Sequence, residues 1–384
     1  MVGFIEHSSL CHPFTSLSKE IRKWNMKNLA FKHVRVDTLG RRHRFTRAPK
    51  IDPKTGKPVR VVPVVSDHAV FEAIARCGGM LTTSILHEYR ALKGIRSGKT
   101  GGKMTHKTAT RYRLNKLSTS TNTPHKGPYL TCPDQQWKQA FELDRNKNEL
   151  MYDLTKQGKE YLQDIGLVGE HLPGRSASST HDGLKACSVA SLELASLEND
   201  KYVFGHHDMV CDQHQITGSF HCPVDYTDPD TGIHYLDPDA ILEPDHLGYI
   251  DNMETDQRLY FILEQDNHNE VSIPGTNAKF INRRSHLKSL LQYQYLFKKK
   301  NLTKYFGQDA GVVVLYLCTN ESTQQTIMDL SKKLSYNGLG FTYVYARTVP
   351  GFRYDKFFES PPLLKSFFTD PISNARGDIA RFAI

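Results

Sequence analysis

The sequence predicts an α/β (α+β) protein, with a basic helical front half followed by a mixed sheet flanked by helices. Three observations predict it. Residues 1–117 hold 24 Lys and Arg against 7 Asp and Glu, whereas residues 118–384 hold 26 against 34. Between 66 and 117, apolar residues recur at helical spacing and are interrupted by Gly and Thr, the pattern of short helices joined by tight turns. Beyond residue 180, helical runs alternate with apolar runs of strand length, which implies strands covered by helices.

Composition narrows the class. The 384 residues suffice for two or three domains with ordinary cores. No apolar run reaches the roughly 18 residues a membrane span needs. The N-terminal stretch MVGFIEHSSLCHPF lacks the basic-then-apolar order of a secretory signal. Seven cysteines are scattered without a CxxC pair, which suits reduced thiols in a cytoplasmic protein better than a disulfide framework. A net charge of +9, concentrated at the front, implies a polyanionic partner, most simply double-stranded DNA, and no membrane.

Residues 1–60 read as a basic arm, broken by Pro49, Pro53, Gly56 and Pro58, with Arg41, Arg42 and Arg44 in its densest cluster. Such an arm can track phosphates without reading sequence. Residues 61–166 read as a helix-turn-helix unit. Ser66 and Asp67 can cap a first helix carrying Val70, Ile74 and Cys77 on one face, and Gly78-Gly79 ends it. Thr82-Thr83 opens a second helix with Ile85, Leu86 and Tyr89 facing inward. After a basic Gly-rich loop containing Lys103, a third helix runs from Thr105 to Leu117. It is expected to bury Ala109, Leu114 and Leu117 and to offer Lys107, Thr110, Arg111 and Arg113 to a major groove. Strands follow at 128–131 and 149–154, separated by an insert containing Trp137, and then a helix capped by Thr155 and anchored by Leu162. The run Leu154-Thr155-x-x-Gly158-x-x-x-Leu162 resembles the strand-to-helix ending of bacterial winged-helix domains, which makes this unit a winged helix-turn-helix.

Residues 167–180 are rich in Gly, Pro and Ser and read as a linker. His181-Asp182 then opens a helix expected over 183–199. His206, His207, Cys211, His214, His221 and Cys222 follow, but their spacing matches no zinc finger or ribbon, so zinc is not expected. A strand hairpin is expected between Pro238 and Gln265, one strand starting at Pro238–Leu242 and extending to Ile250, the other covering Arg258–Gln265. A helix over 285–297, ending in Lys298-Lys299-Lys300, a buried strand over 311–318, a helix over 323–334 and a strand over 341–346 complete the domain, 181–350. Residues 351–384 read as an irregular tail.

The hairpin concentrates carboxylates at the ends of apolar runs, an arrangement suited to holding a divalent metal through oxygen. Pro238-Asp239 and Pro244-Asp245 precede or begin one strand, and Glu264-Gln265-Asp266 ends the other. This pattern resembles the PD-(D/E)xK nuclease-like superfamily. With the preceding winged helix and His181-Asp182, it resembles the replication-relaxation family of plasmid and phage proteins over about residues 66–350. The resemblance implies Mg²⁺, or Mn²⁺, held by Glu264 and either Asp239 or Asp245, with phosphodiester cleavage of DNA as the reaction. Asp266 stands where the superfamily carries a lysine, and Lys288 on the next helix is the candidate substitute, with Tyr293 on the same face. A second reading keeps the fold without the chemistry: a regulator of replication or transcription whose nuclease-like domain binds a partner or forms a homodimer.

Overall fold

The computed structural model describes residues 44–45, 51–57, 61–96, 107–119, 128–133, 151–174, 179–266, 285–308, 310–318, 320–348 and 372–380. They form a mixed α+β structure built on two sheets, one of four strands and one of seven. The four-stranded sheet and its helices come first. Strand β1 (Arg44–Phe45) is followed by α1 (Val65–Arg76), β2 (Leu81–Thr82), α2 (Thr83–Arg96), α3 (Lys107–Leu117), β3 (Leu130–Pro133), β4 (Met151–Leu154) and α4 (Lys156–Asp164). The sheet order is β1-β3-β4-β2, antiparallel throughout.

Local chemistry accounts for these boundaries. The Thr155 hydroxyl accepts from Gly158 N at 3.1 Å, an N-cap that contributes about 1 kcal/mol, and Leu162 is fully buried as expected. At α1 the cap differs from expectation. The helix starts one residue before Ser66, and Asp67 reaches back from the first turn to accept from Val64 N at 2.9 Å. Ser66 instead accepts from the Arg90 guanidinium at 3.2 Å. Thr82 closes a short strand before α2, and its hydroxyl accepts from Ile85 N.

The second part begins with α5 (Ser179–Leu197), followed by β5 (Tyr202–Gly205) and α6 (His207–His214). Four short strands come next: β6 (Phe220–His221), β7 (Val224–Thr227), β8 (His234–Asp237) and β9 (Ile241–Leu242). The long hairpin β10 (His246–Asn252) and β11 (Gln257–Gln265) precedes α7 (His286–Leu296), α8 (Lys299–Phe306), β12 (Gly311–Cys318), α9 (Glu321–Leu334) and β13 (Val344–Thr348). Strands β14 (Ile372–Asn374) and β15 (Ile379–Ala380) close the chain's described part. The seven strands lie in the order β15-β14-β13-β12-β11-β10-β5, with β11, β12 and β13 parallel and the other neighbours antiparallel.

Four expectations are corrected here. Residues 234–242 do not belong to the main hairpin: β8 pairs with β7 and β9 with β6, so the strand opposite β11 starts only at His246. Lys299 and Lys300 begin α8, with Lys298 at its N-cap, instead of ending α7. The C-terminal tail, read as irregular, contributes β14 and β15 to the sheet. The segment read as a linker is held down: Arg76 donates to Leu167 O at 3.0 Å, Gly169 N to Asp208 at 3.1 Å, and Lys185 to Gly174 O at 2.6 Å. Its last two residues, 179 and 180, already belong to α5.

The sheet is covered on both faces. Phe261 and Leu263 join α5 and the α1–α2 unit in one apolar cluster, while Tyr260 and Ile262 join α7, α8 and α9 in another. The alternation of strand side chains divides them. Helix α5 is buried on every side from His181 to Ser196, because it lies between the sheet and the first unit.

Candidate active site

Of the candidate site residues, Asp245, Glu264 and Asp266 lie at the C-terminal end of β11. His246 of β10 pairs with Leu263 of β11, the last pair of that ladder, and Asp245 immediately precedes it at the same end of the hairpin as Glu264. The Asp245 carboxylate also accepts from Gln265 N at 2.8 Å, which pins it across the strand end. Its other oxygen lies 3.0 Å from His181 Nε2, delivered by the first turn of α5. Asp245 is 9% exposed and Glu264 4%.

Glu264 faces α7, where the Tyr293 hydroxyl donates to its Oε1. Ser285 caps α7 by accepting from Lys288 N at 3.1 Å, which sets the roll of the helix and places Tyr293 against the strand. Gln265 points the other way: it accepts from the Ser188 hydroxyl of α5 at 2.7 Å and donates to Leu317 O at 3.0 Å. Asp266 is buried at the same edge with His286 Nε2 3.9 Å from its carboxylate. Burial, reinforced by Asp266, raises the pKa of the neighbouring Cys318 thiol.

Of the two candidate aspartates, Asp245 is buried at the end of the hairpin that carries Glu264. Asp239 is exposed in the turn between β8 and β9. Lys288 is also elsewhere: its ammonium pairs with Asp237 at 2.6 Å, at the end of β8. Its helix position was correctly read, but the β7–β8 ladder, illegible as a separate element, supplies the carboxylate that holds it.

Buried carboxylates are hard oxygen donors of the kind that can hold Mg²⁺ or Mn²⁺. Among the described residues, no group of three or more His, Cys, Asp or Glu side chains is arranged to hold a metal by itself. The histidines and cysteines of 206–222 are distributed among separate contacts. His207 accepts from Leu247 N at 3.1 Å, His214 meets the Tyr260 hydroxyl at 2.9 Å, and His221 meets Pro238 O at 3.1 Å. Burial pushes the Cys211 and Cys222 thiols up to about 12.

The candidate DNA-contacting residues divide differently from expectation. Arg41, Arg42 and Lys103 lie outside the described residues, as do the side chains of Arg44 and Lys107 and the insert carrying Trp137. Thr110 is fully buried, its hydroxyl meeting His87 Nδ1 at 3.0 Å and Arg90 at 3.1 Å. Arg113 turns inward to Asp67, which is 0% exposed, bonding it at 3.0 and 3.1 Å, and also donates to Val62 O at 2.7 Å. The buried stripe is therefore Thr110, Leu114, Leu117 and Ser118, and Ala109 is exposed. What α3 presents outward is Thr108, Ala109 and Tyr112, with Arg111 and Lys116 half-buried at its borders. Tyr112 is 56% exposed with the Lys116 ammonium 4.7 Å from its ring centre. The sequence reading missed Tyr112 because an aromatic residue inside a helix is ordinarily assigned to the core.

No protein family, curated sequence or solved structure matches this chain.

Proposed function

We propose that the protein binds double-stranded DNA through its basic first unit and cleaves phosphodiester bonds at a divalent-metal site formed by Asp245 and Glu264. The observation that carries this reading is that Asp245 and Glu264, both buried, lie at the same end of the β10–β11 hairpin, Asp245 held from α5 and Glu264 from α7. The helix–hairpin–helix–strand–helix–strand order agrees with a PD-(D/E)xK nuclease-like domain. The three helices with a small antiparallel sheet agree with a winged helix. By its resemblance to replication-relaxation proteins, we assign the activity to replication or mobilisation of a plasmid or phage.

In this reading Asp245 and Glu264 hold Mg²⁺ or Mn²⁺. When bound, the ion supplies Lewis-acid stabilisation of the phosphate and a water of lowered pKa. His181 fixes the orientation of Asp245, and the Tyr293 hydroxyl fixes Glu264. Burial keeps both carboxylates in one geometry, so a bound ion would sit at a defined place relative to the strand ends. Positive charge near the front unit draws DNA in, and Arg111, Tyr112 and Lys116 on α3 are the described side chains available for contact.

A binding module without cleavage is the second reading. It is favoured by the pairing of Lys288 with Asp237 and by Asp266 where an ammonium would stabilise the developing charge. Supercoiled plasmid incubated with Mg²⁺ or Mn²⁺ separates the two. Nicking by the parent and none by Asp245→Ala/Glu264→Ala is expected. A parent that binds the plasmid but leaves it intact would reject cleavage and leave the binding module.

A further inference from the structure

From the lysines of α8 we infer a second, sequence-independent contact surface for the phosphate backbone of a nucleic acid, separate from α3. Lys298, Lys299, Lys300 and Lys304 are all exposed and stand within seven residues of one another. Among the described residues none of the four pairs with a carboxylate. In the same acid-rich part of the chain Lys156, Lys185, Lys201, Lys288 and Lys333 each do, and exposed Lys332 is a lone exception. With 34 acidic residues available beyond position 117, leaving four adjacent lysines unneutralised is a departure that needs a cause.

The helix bears a cost for this arrangement. Lys298 sits at the N-cap without a side-chain cap bond, and Lys299 and Lys300 fill the first turn, where the backbone dipole disfavours cations. Lys300 and Lys304 are like charges one turn apart. Local disagreement between sequence and element of this kind is characteristic of functional surfaces. A polyanion would relieve the charge repulsion.

The surface suits a phosphate backbone better than a lipid bilayer. The apolar side of α8 is turned in: Phe306 is buried against Tyr260 and Phe220, with ring centres 5.5 and 5.8 Å apart. No exposed large apolar side chain is found from 295 to 308, so nothing on this surface would insert into a membrane. Half-buried Tyr295 and Tyr305 lie beneath the Lys298 and Lys304 ammoniums at 5.1 and 4.8 Å, keeping the charges at the surface. Flexible ammoniums of this kind contact phosphates as point charges and read no bases.

Position makes this surface distinct from both sites above. Strand β12 leaves α8 and begins opposite Leu259, whereas Glu264 lies at the other end of β11, roughly 17 Å along the strand. Helix α8 shares the sheet face of α7, which Glu264 faces, so the distance along the strand is what separates the two. A nucleic acid held there is a different stretch from one held at the carboxylates.

The inference rests on the proposed function only for the identity of the polymer, and salt-dependent duplex binding tests it. The parent is compared with Lys298→Ala/Lys299→Ala/Lys300→Ala/Lys304→Ala, with the fourfold Lys→Arg counterpart, and with Arg111→Ala/Tyr112→Ala/Lys116→Ala. The alanine variant of α8 is expected to lower the slope of log affinity against log salt by up to about 3.5, and the arginine variant to restore it. Its melting temperature should equal or exceed the parent's, since repulsive charges are removed. A slope unchanged by the α8 substitutions, with binding lost only in the α3 variant, would overturn this inference and leave the proposed function standing. A parent without duplex affinity would overturn both. Preferential binding to anionic phosphatidylserine vesicles over duplex would replace the nucleic acid with a lipid surface and overturn the inference too.

Discussion

Asp67, at 0% exposure, decides which side chains α3 presents outward. Its carboxylate holds Arg113 and the Val64 amide together, so the arginine that looks free in the sequence is a structural strut. Arg113→Ala would leave a buried charge without its cation and is expected to cost about 3 kcal/mol in urea unfolding. Tyr112→Ala should leave stability within about 0.5 kcal/mol yet weaken DNA binding by on the order of 1 kcal/mol. If Tyr112→Ala binds like the parent, the outward face of α3 is not a contact surface. His207 carries a second expectation. Burial, aided by Lys185, His171 and His206 and opposed by Asp208, lowers its pKa from 6.5 to about 4. The folded state thus resists protonation that the unfolded chain accepts below pH 6.5. Stability is full above that pH and should fall as pH drops from 6.5 toward 4, by about 3 kcal/mol from this residue. A urea midpoint constant across that window would contradict the assignment.

Among the elements, α5 organises the rest. Its C-terminal part carries Glu193, which accepts from the Tyr89 hydroxyl at 2.6 Å and lies 3.2 Å from Lys93 and 3.0 Å from His206. Burial alone would raise the Glu193 pKa, but Lys93, His206 and Tyr89 outweigh it and hold it well below the usual range. Its start packs so closely on the α1–α2 turn that a Cβ on Gly79 would meet Asp182 O at 2.1 Å. Gly79→Ala is therefore expected to destabilise by about 1–3 kcal/mol, and a variant as stable as the parent would dispute that contact. Elements of this length and periodicity were legible in the sequence: α1, α2, α4, α7, β11 and β12 were anticipated closely, Thr155 as a cap included. Short ladders were not. Two-residue strands such as β6 and β9 have no period to read, so Pro238-Asp239 passed for the start of the main hairpin. The roll of α3 was also out of reach, because a partner 46 positions away, Asp67, sets it.

Across the whole molecule, the first unit and the sheet share one apolar cluster through α5, which implies that they unfold together. The sequence suggested a boundary there because Gly, Pro and Ser dominate 167–180. It could not show that Arg76, Asp208 and Lys185 bind that segment down. The same cluster ties α3 to the helix that presents His181 to Asp245, so DNA bound at the front would be held in a fixed relation to the carboxylates. The proposed carboxylate pair was half legible: Glu264 could be named from the sequence, while choosing between Asp239 and Asp245 needed the start of β10. Titration calorimetry with Mn²⁺ tests the pair most directly. The parent and Asp239→Asn are expected to bind with equal affinity, and Asp245→Asn and Glu264→Gln to lose at least tenfold, about 1.4 kcal/mol. Equal binding by all four proteins, or loss only in Asp239→Asn, would contradict the account.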